Sequence, residues 1–143
     1  MATDQGRPSS VLFVCTMNAV RSPMAAALLR RLKGQAIYVK SAGVRAGDQD
    51  PLAIEVMAEI GIELGEHHPR RLEDLQDGCF DLVVALTSEA KARTLAWGHS
   101  AAAQIEYWRT DDPTLIEGTP DQRRAAYRAV RDALERQIAE RFA

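Results

Sequence analysis

Several things are scarce in this chain, and each scarcity closes off a class of protein. Two cysteines, Cys15 and Cys79, among 143 residues cannot form a disulfide scaffold. No apolar run approaches the ~20 residues that a membrane-spanning helix needs. The opening residues, MATDQGRPSS, are polar and lack the apolar centre of a secretory signal. Neither sign of charge dominates: 18 Lys+Arg face 20 Asp+Glu, a formal net charge of -2. That balance argues against a protein that coats nucleic acid or an anionic membrane, so an acidic or phosphorylated partner must be met locally. What remains is a soluble cytoplasmic domain, of a length that suits one compact core. The expected layout is a flexible segment over residues 1–9 and a single domain over residues 10–143.

Hydrophobic patterning supplies the elements. Val11-Leu12-Phe13-Val14 is a short apolar run rich in β-branched residues, the pattern of a strand buried on both faces. From Pro23 the spacing turns helical: Met24, Leu28 and Leu32 fall four apart, and Arg30, Arg31 and Lys33 fill the last turn before Gly34. Further strands are expected over Ala36 to Val39, Phe80 to Leu86 and Gln104 to Trp108. Asp50 as N-cap and Pro51 at the first position predict a helix from Pro51 to Ile60, stopped at Gly61, and a shorter one suits Arg70 to Gln76. Thr87 or Ser88 caps a helix running to about Trp97 and ended by Gly98. Thr119-Pro120-Asp121-Gln122 has the form of a capping box, after which Tyr127, Val130, Leu134 and Ile138 make one apolar stripe. Strands alternating with helices predict βαβ units, hence a three-layer α/β sandwich: a four-stranded parallel sheet with helices on both faces.

In such a sheet ligands sit at the carboxyl ends of the strands, and the loop leaving the first strand is Cys15-Thr16-Met17-Asn18-Ala19-Val20-Arg21-Ser22-Pro23. A loop that curls just before a helix can aim successive backbone N–H groups inward, and the helix N-terminus adds unpaired donors and partial positive charge. That cradle fits a tetrahedral oxyanion. Cys15 on its floor would be favoured as thiolate, an activated nucleophile. Arg21 can clamp two equatorial oxygens in fork geometry, and the Ser22 hydroxyl either supports the sulfur or caps the helix. On spacing alone the bland alternative stays open, with Cys15 a small buried hydrophobe and Arg21 a solvated charge. The flanking strand and Ser-Pro helix start favour the chemical reading.

A thiolate that attacks a phosphate ester must also expel an alkoxide or phenoxide, so a proton donor is needed beyond the phosphorus. Asp111-Asp112-Pro113 follows the last expected strand at the same carboxyl edge as Cys15. Asp112 is the candidate general acid, and Asp111 beside it could share the role.

These residues resemble the low-molecular-weight protein tyrosine phosphatases and the arsenate reductases that share their fold. The carriers are Val14-Cys15-x5-Arg21-Ser22-Pro23, Asn18 within the loop, Ser41-Ala42-Gly43 after the second strand, and Asp112-Pro113. The resemblance implies a four-stranded parallel sheet flanked by helices, with Cys15 as the nucleophile that forms a phosphocysteine and Arg21 as the phosphate clamp. It further implies that Asn18 holds the loop's shape, that Ser22 partners the thiolate, and that Asp112 serves as acid and then as base for water. Thr16, Met17, Asn18, Ala19, Val20 and Ser22 are thereby the expected substrate-binding residues. The chain departs from the family at Met17, where glycine is usual; at Val20, where many relatives carry a second cysteine; and at Thr114-Leu115, where eukaryotic members have two tyrosines.

The expected function is a cysteine-dependent phosphatase of phosphomonoesters, with protein phosphotyrosine as a candidate substrate and inorganic phosphate or arsenate as loop ligands. The alternative is an arsenate reductase coupled to a small thiol. Cys79 precedes the third strand while Cys15 ends the first, so the two lie roughly 15–20 Å apart at opposite edges of a parallel sheet, beyond disulfide reach. A third possibility is a non-catalytic oxyanion-binding domain. No cofactor, metal, nucleic acid or membrane is implied. His67-His68 reads as loop histidines rather than metal ligands, and His99 as surface. The arginines at 123, 124, 128, 131, 136 and 141 are interleaved with acids and read as a solvated helix face. Arg45 is expected to border the pocket, where it could recruit an anionic substrate.

Overall fold

The computed structural model describes residues 8–76, 78–97 and 102–143. Most of the expected segment 1–9 therefore lies outside the described residues, as do the stop at Gly98 and the surface position of His99. Ser9 is described and is tied down, its N–H and hydroxyl both donating to Asp81 Oδ2 at 2.8 and 2.7 Å.

Four parallel strands, β1 (Ser10–Cys15), β2 (Tyr38–Gly43), β3 (Leu82–Ala85) and β4 (Gln104–Tyr107), form one sheet in the order β2-β1-β3-β4. Helices α1 (Arg21–Lys33), α2 (Pro51–Ala58), α3 (Ser88–Ala96) and α4 (Pro120–Phe142) connect or follow them. Side chains alternate across β1 as a strand's period of two demands. Val11, Phe13 and Cys15 face a thick layer built from α1, α2 and α4, while Leu12 and Val14 face a thin one with Ala90 of α3, Leu72, Leu75 and Phe80. The three-layer α/β sandwich is thus as expected. Among the described residues no helix is long and apolar enough to cross a membrane.

Caps fall where the side chains place them. Asp50 Oδ1 accepts from the N–H groups of Leu52 and Ala53, Thr87 accepts from Ala90, and Thr119 with Gln122 forms the reciprocal capping box at the start of α4. Three expectations need correction. The segment Arg70 to Gln76 yields only one turn of 3-10 helix, Leu72–Asp74. α1 begins at Arg21 rather than Pro23, because Met24 N–H already bonds to the Val20 carbonyl at 3.1 Å. β2 lies later than expected: Gly34–Ala36 is a 3-10 turn, and pairing with β1 carries the strand through Ser41-Ala42-Gly43 to Cys15↔Gly43. Small residues with little strand preference are drafted there by their buried neighbour.

The arginines of α4 are not a uniformly solvated face. Arg124 pairs with Glu55, and Arg128 forks onto Glu59 at 2.7–3.1 Å. Arg131 is buried, 8% exposed, and donates to the Val56 carbonyl at 2.7 Å and to Glu59 at 2.9 Å. The reason lies at the end of α2, whose last carbonyls need donors. Glu55, Met57 and Ala58 find backbone N–H groups, and Arg131 supplies the donor for Val56. Glu59 sits at that C-terminus, where the helix dipole disfavours a carboxylate, and the two guanidinium groups offset this. Hydrogen bonds from Arg128 foremost, and from Arg131, pull the Glu59 carboxyl from its ordinary 4.5 down to about 2. A carboxylate whose value is depressed by folding stabilises the protein above its unfolded value and stops doing so as pH falls through the folded one. Glu59→Gln should therefore unfold more easily than the parent at neutral pH, with the gap closing between about pH 4.5 and about 2; denaturant melts across that range measure it.

Candidate active site

β1 ends at Cys15, and the chain turns back within five residues to start α1 at Arg21. α1 has no side-chain cap and no acidic residue in its first turn, so no side chain of its own first turn caps its N-terminal amides. Cys15 is 2% exposed, yet its sulfur has polar company: Asn18 N–H points at Sγ from 3.3 Å, and Ser22 Oγ lies 2.9 Å away. The bland reading of a cysteine packed only among apolar side chains does not describe it.

Asn18 organises the turn. Its φ of +55° is in the left-handed region, which asparagine tolerates better than most side chains. Fully buried, its amide nitrogen donates to Ser22 Oγ at 2.8 Å and Ser41 Oγ at 3.0 Å, and its Oδ1 accepts the Arg70 N–H at 2.9 Å. Its own carbonyl lies 2.8 Å from His67 Nε2, which as a donor places the ring proton there. Burial foremost, and the nearby charges of Arg70 and Arg30, hold the His67 imidazole below its ordinary value despite that hydrogen bond. A neutral ring results, held from behind by Gln49, whose Nε2 donates to the His67 carbonyl. His67 is thus more than a loop residue, since its ring holds the Asn18 carbonyl. Among the described residues no group of three or more His, Cys, Asp or Glu could hold a metal ion.

The end of β2 completes the underside. Ser41 receives the Asn18 amide, Ala42 presents its carbonyl 3.3 Å from Ser22 Oγ, and Gly43 leaves room for the loop. A Cβ on Gly43 would come within 2.8 Å of the Asn18 nitrogen and 2.4 Å of the Arg45 carbonyl, so only glycine fits. Beyond it the chain runs along the Cys15 loop: the N–H groups of Val44, Arg45 and Gly47 bond to the carbonyls of Cys15, Thr16 and Met17 at 3.0, 2.8 and 2.9 Å.

Above the sulfur opens a cavity of about 180 Å³ lined by Cys15, Met17, Ala19, Val20 and Arg21 from the loop, Gly47, Asp48 and Asp50 from the segment after β2, and Asp112 and Thr114. Arg21 reaches across it, donating to the Thr110 carbonyl at 3.2 Å and lying 3.7 Å from Asp112 Oδ2. The other Asp112 oxygen accepts from Thr114 N–H and hydroxyl. Cys15, Arg21 and Asp112 therefore share one pocket. Met17, Ala19 and Val20 form its wall, while Asn18 and Ser22 lie beneath it. Thr16 does not project into it, its hydroxyl being bonded to Thr87 Oγ1 at 3.2 Å. Asp111 is exposed and pairs with Arg109 at 3.4 Å outside the pocket, which separates it from Asp112. Arg45 forks onto Glu89 at 3.0–3.1 Å and does not line the pocket either.

A family model described as low molecular weight phosphotyrosine protein phosphatase matches residues 10–143. The chain belongs to that family. Among curated relatives, an arsenate reductase of Halalkalibacterium halodurans is 32% identical over 128 residues, covering 90% of this chain and 91% of its own. Among solved structures, the YwlE arginine phosphatase of Geobacillus stearothermophilus superposes with a TM-score of 0.76 at 32% identity, over 92% of this chain and 89% of its own. A low molecular weight protein tyrosine phosphatase from T. tengcongensis reaches 0.75 at 28% identity, over 92% and 95%. The family's enzymes thus carry both phosphatase and arsenate reductase names on the fold seen here.

Replacing Asn18 tests how far the pocket depends on its underside. Asn18→Ala keeps the strained φ but removes two donors and an acceptor, and should slow turnover of any substrate by about a hundredfold, since ångström-scale displacement of reacting groups costs that much. Ser41→Ala, which removes one of the same bonds, should lose less; steady-state rates together with thermal melts separate the effect on the loop from one on folding.

Proposed function

We propose that this protein is a cysteine-dependent phosphatase of phosphomonoesters that works through a phosphocysteine. The observation that supports this reading best is that the Cys15 sulfur and the Asp112 carboxyl border one small cavity with Arg21 between them. In the first step Sγ attacks phosphorus as thiolate, the P–S bond forms and the P–O bond breaks, and Asp112 gives its proton to the departing oxygen. In the second step Asp112 takes a proton from water as the water oxygen attacks phosphorus, and the P–S bond breaks to release inorganic phosphate and thiolate. Charge on the three equatorial oxygens is met by Arg21 and by the N–H groups that start α1, so neither step calls for a metal or a cofactor. Before substrate binds, Arg21 rests against Asp112, and an entering phosphoryl group would take the guanidinium for itself and leave the carboxyl beside the departing oxygen.

No aromatic side chain lines the cavity among the described residues; its wall is Met17, Ala19, Val20, Gly47 and Thr114. A phosphotyrosine ring would find apolar contact there but no stacking partner, so protein phosphotyrosine is one substrate of the class rather than a fitted one. The names of relatives bring arsenate and phosphoarginine into the panel to be tried. Arsenate has the geometry for the same cradle, and its reduction requires thiol electrons. Cys79, exposed and before β3, is no partner for Cys15 at the end of β1, which leaves reduction to an external small thiol.

Cys15→Ser should abolish turnover of para-nitrophenyl phosphate while inorganic phosphate still binds. Asp112→Asn should slow phenyl phosphate by about a hundredfold or more, and para-nitrophenyl phosphate, whose leaving group needs little help, by less than about tenfold. Equal losses on the two esters would remove Asp112 from the acid's role. Arsenate-dependent thiol consumption faster than ester hydrolysis in one preparation would hand the function to the reductase reading.

A further inference from the structure

Five charged groups stand at or beside the pocket's mouth, and four are already committed. Asp50 spends one oxygen on the N–H groups of α2 and the other on the Tyr127 hydroxyl, 2.7 Å away. Burial and that carboxylate push the Tyr127 phenol upward, so it remains a donor. Asp112 faces Arg21, and Arg45 is neutralised by Glu89. Asp48 is different: it lines the pocket, is exposed to solvent, and forms no hydrogen bond or ion pair with the described residues. Its position is nevertheless firm. The hydrogen bonds of Val44, Arg45 and Gly47 to the Cys15 loop carry the chain to within one residue of it. Gly47 lies so close to Met17 that a Cβ there would sit 3.2 Å from the methionine side chain.

An unpaired carboxylate beside a site for a dianionic phosphoryl group repels every substrate alike. Its effect becomes favourable only when the remainder of the substrate carries positive charge. We propose that Asp48 is a specificity-determining residue that selects substrates with a cationic group on the leaving side of the phosphoryl centre, an ammonium or a guanidinium. Asp48 touches neither the transferred phosphoryl group nor the sulfur in this assignment. It acts on the part of the substrate that departs, through charge across a solvated rim. The inference rests on the phosphatase reading for the placing of that leaving side.

Three aryl phosphates of one shape test it: 4-(aminomethyl)phenyl, 4-methylphenyl and 4-carboxyphenyl phosphate, cationic, neutral and anionic opposite the ester. The wild-type enzyme should show kcat/KM falling in that order after correction for leaving-group basicity. Asp48→Asn should lower the cationic-to-neutral ratio about fivefold, the size expected for one screened charge near a surface, and raised salt should shrink the ratio in the wild type but not in the variant. The same ratios are read as binding constants on Cys15→Ser and on Cys15→Ser with Asp48→Asn, where no turnover enters. Ratios that Asp48→Asn leaves unchanged in binding and in kcat/KM overturn the proposal. Absence of turnover for all three esters sinks the phosphatase reading, and the binding ratios then decide the role of Asp48 alone.

Discussion

One buried asparagine carries the geometry of the site. Asn18 stands in a left-handed turn that most side chains resist, and every polar group it owns is engaged: N–H to sulfur, carbonyl to His67, amide nitrogen to Ser22 and Ser41, amide oxygen to the Arg70 N–H. These partners come from four separate stretches of chain. In a low-dielectric interior an unpaired polar atom costs about 1–3 kcal/mol, so the arrangement resists partial dismantling. That stiffness matters because the residues above Asn18, including Met17, Ala19 and Val20, have few side-chain bonds of their own. Their main chain is shaped from below, leaving the inward-facing surface free to meet an oxyanion.

The same constraint explains why the sheet's carboxyl edge is where polar residues enter the interior. β1 is apolar and buried from Val11 to Val14, and β2 is paired with it in register until Gly43. Near that last pair Ser41, opposite Phe13, meets the Asn18 amide, which also reaches the Ser22 hydroxyl. At the other end of the molecule the bonds are of a different kind. α2 is tied to α4 by arginines that satisfy the Val56 carbonyl of its last turn and the acid that ends it, and α2 follows directly from Asp50, which lines the pocket and holds Tyr127 of α4. The rim segment 44–50 is thus fastened at both ends, to the Cys15 loop by backbone bonds and to α4 through Asp50.

How much of this was legible depends on whether the signal was local. The alternating strands and helices, the caps at Asp50, Thr87 and Thr119, and the pairing of Cys15 with Arg21 all follow from short-range pattern, and the structure contains them. The roles of Ser41, Ala42 and Gly43 are not written in propensity. Their smallness becomes meaningful only when Asn18 is known to press against them, so β2 reads too early on the page and the strand ends where its neighbour dictates. His67 was equally opaque, since a loop histidine gives no hint that a carbonyl 49 positions earlier awaits its ring. Arg131 looked like its solvated neighbours because helical spacing cannot reveal that one of them reaches the Val56 carbonyl. Arg45 was expected to border the pocket, yet it is spent on Glu89, and Asp48, three residues on along the same loop, is the charge left at the pocket.

The hydroxyl of Ser22 shows how the site can follow a changing charge without moving its frame. Asn18 donates to Ser22 Oγ, leaving one hydroxyl proton to be placed, and two acceptors compete for it: Sγ at 2.9 Å and the Ala42 carbonyl at 3.3 Å. When the sulfur carries its own proton, that proton can go to Oγ while the hydroxyl turns to Ala42. When the sulfur is anionic, the hydroxyl turns to it, adding a second donor to the Asn18 N–H. On the proposed chemistry the sulfur is anionic before attack, uncharged once bonded to phosphorus, and anionic again on release. A single rotation about one C–O bond accommodates all three states, with every heavy atom of the underside fixed. An alanine at this position would leave the thiolate one donor, the Asn18 amide nitrogen one acceptor fewer, and the cost would fall most heavily on the step in which sulfur departs as an anion.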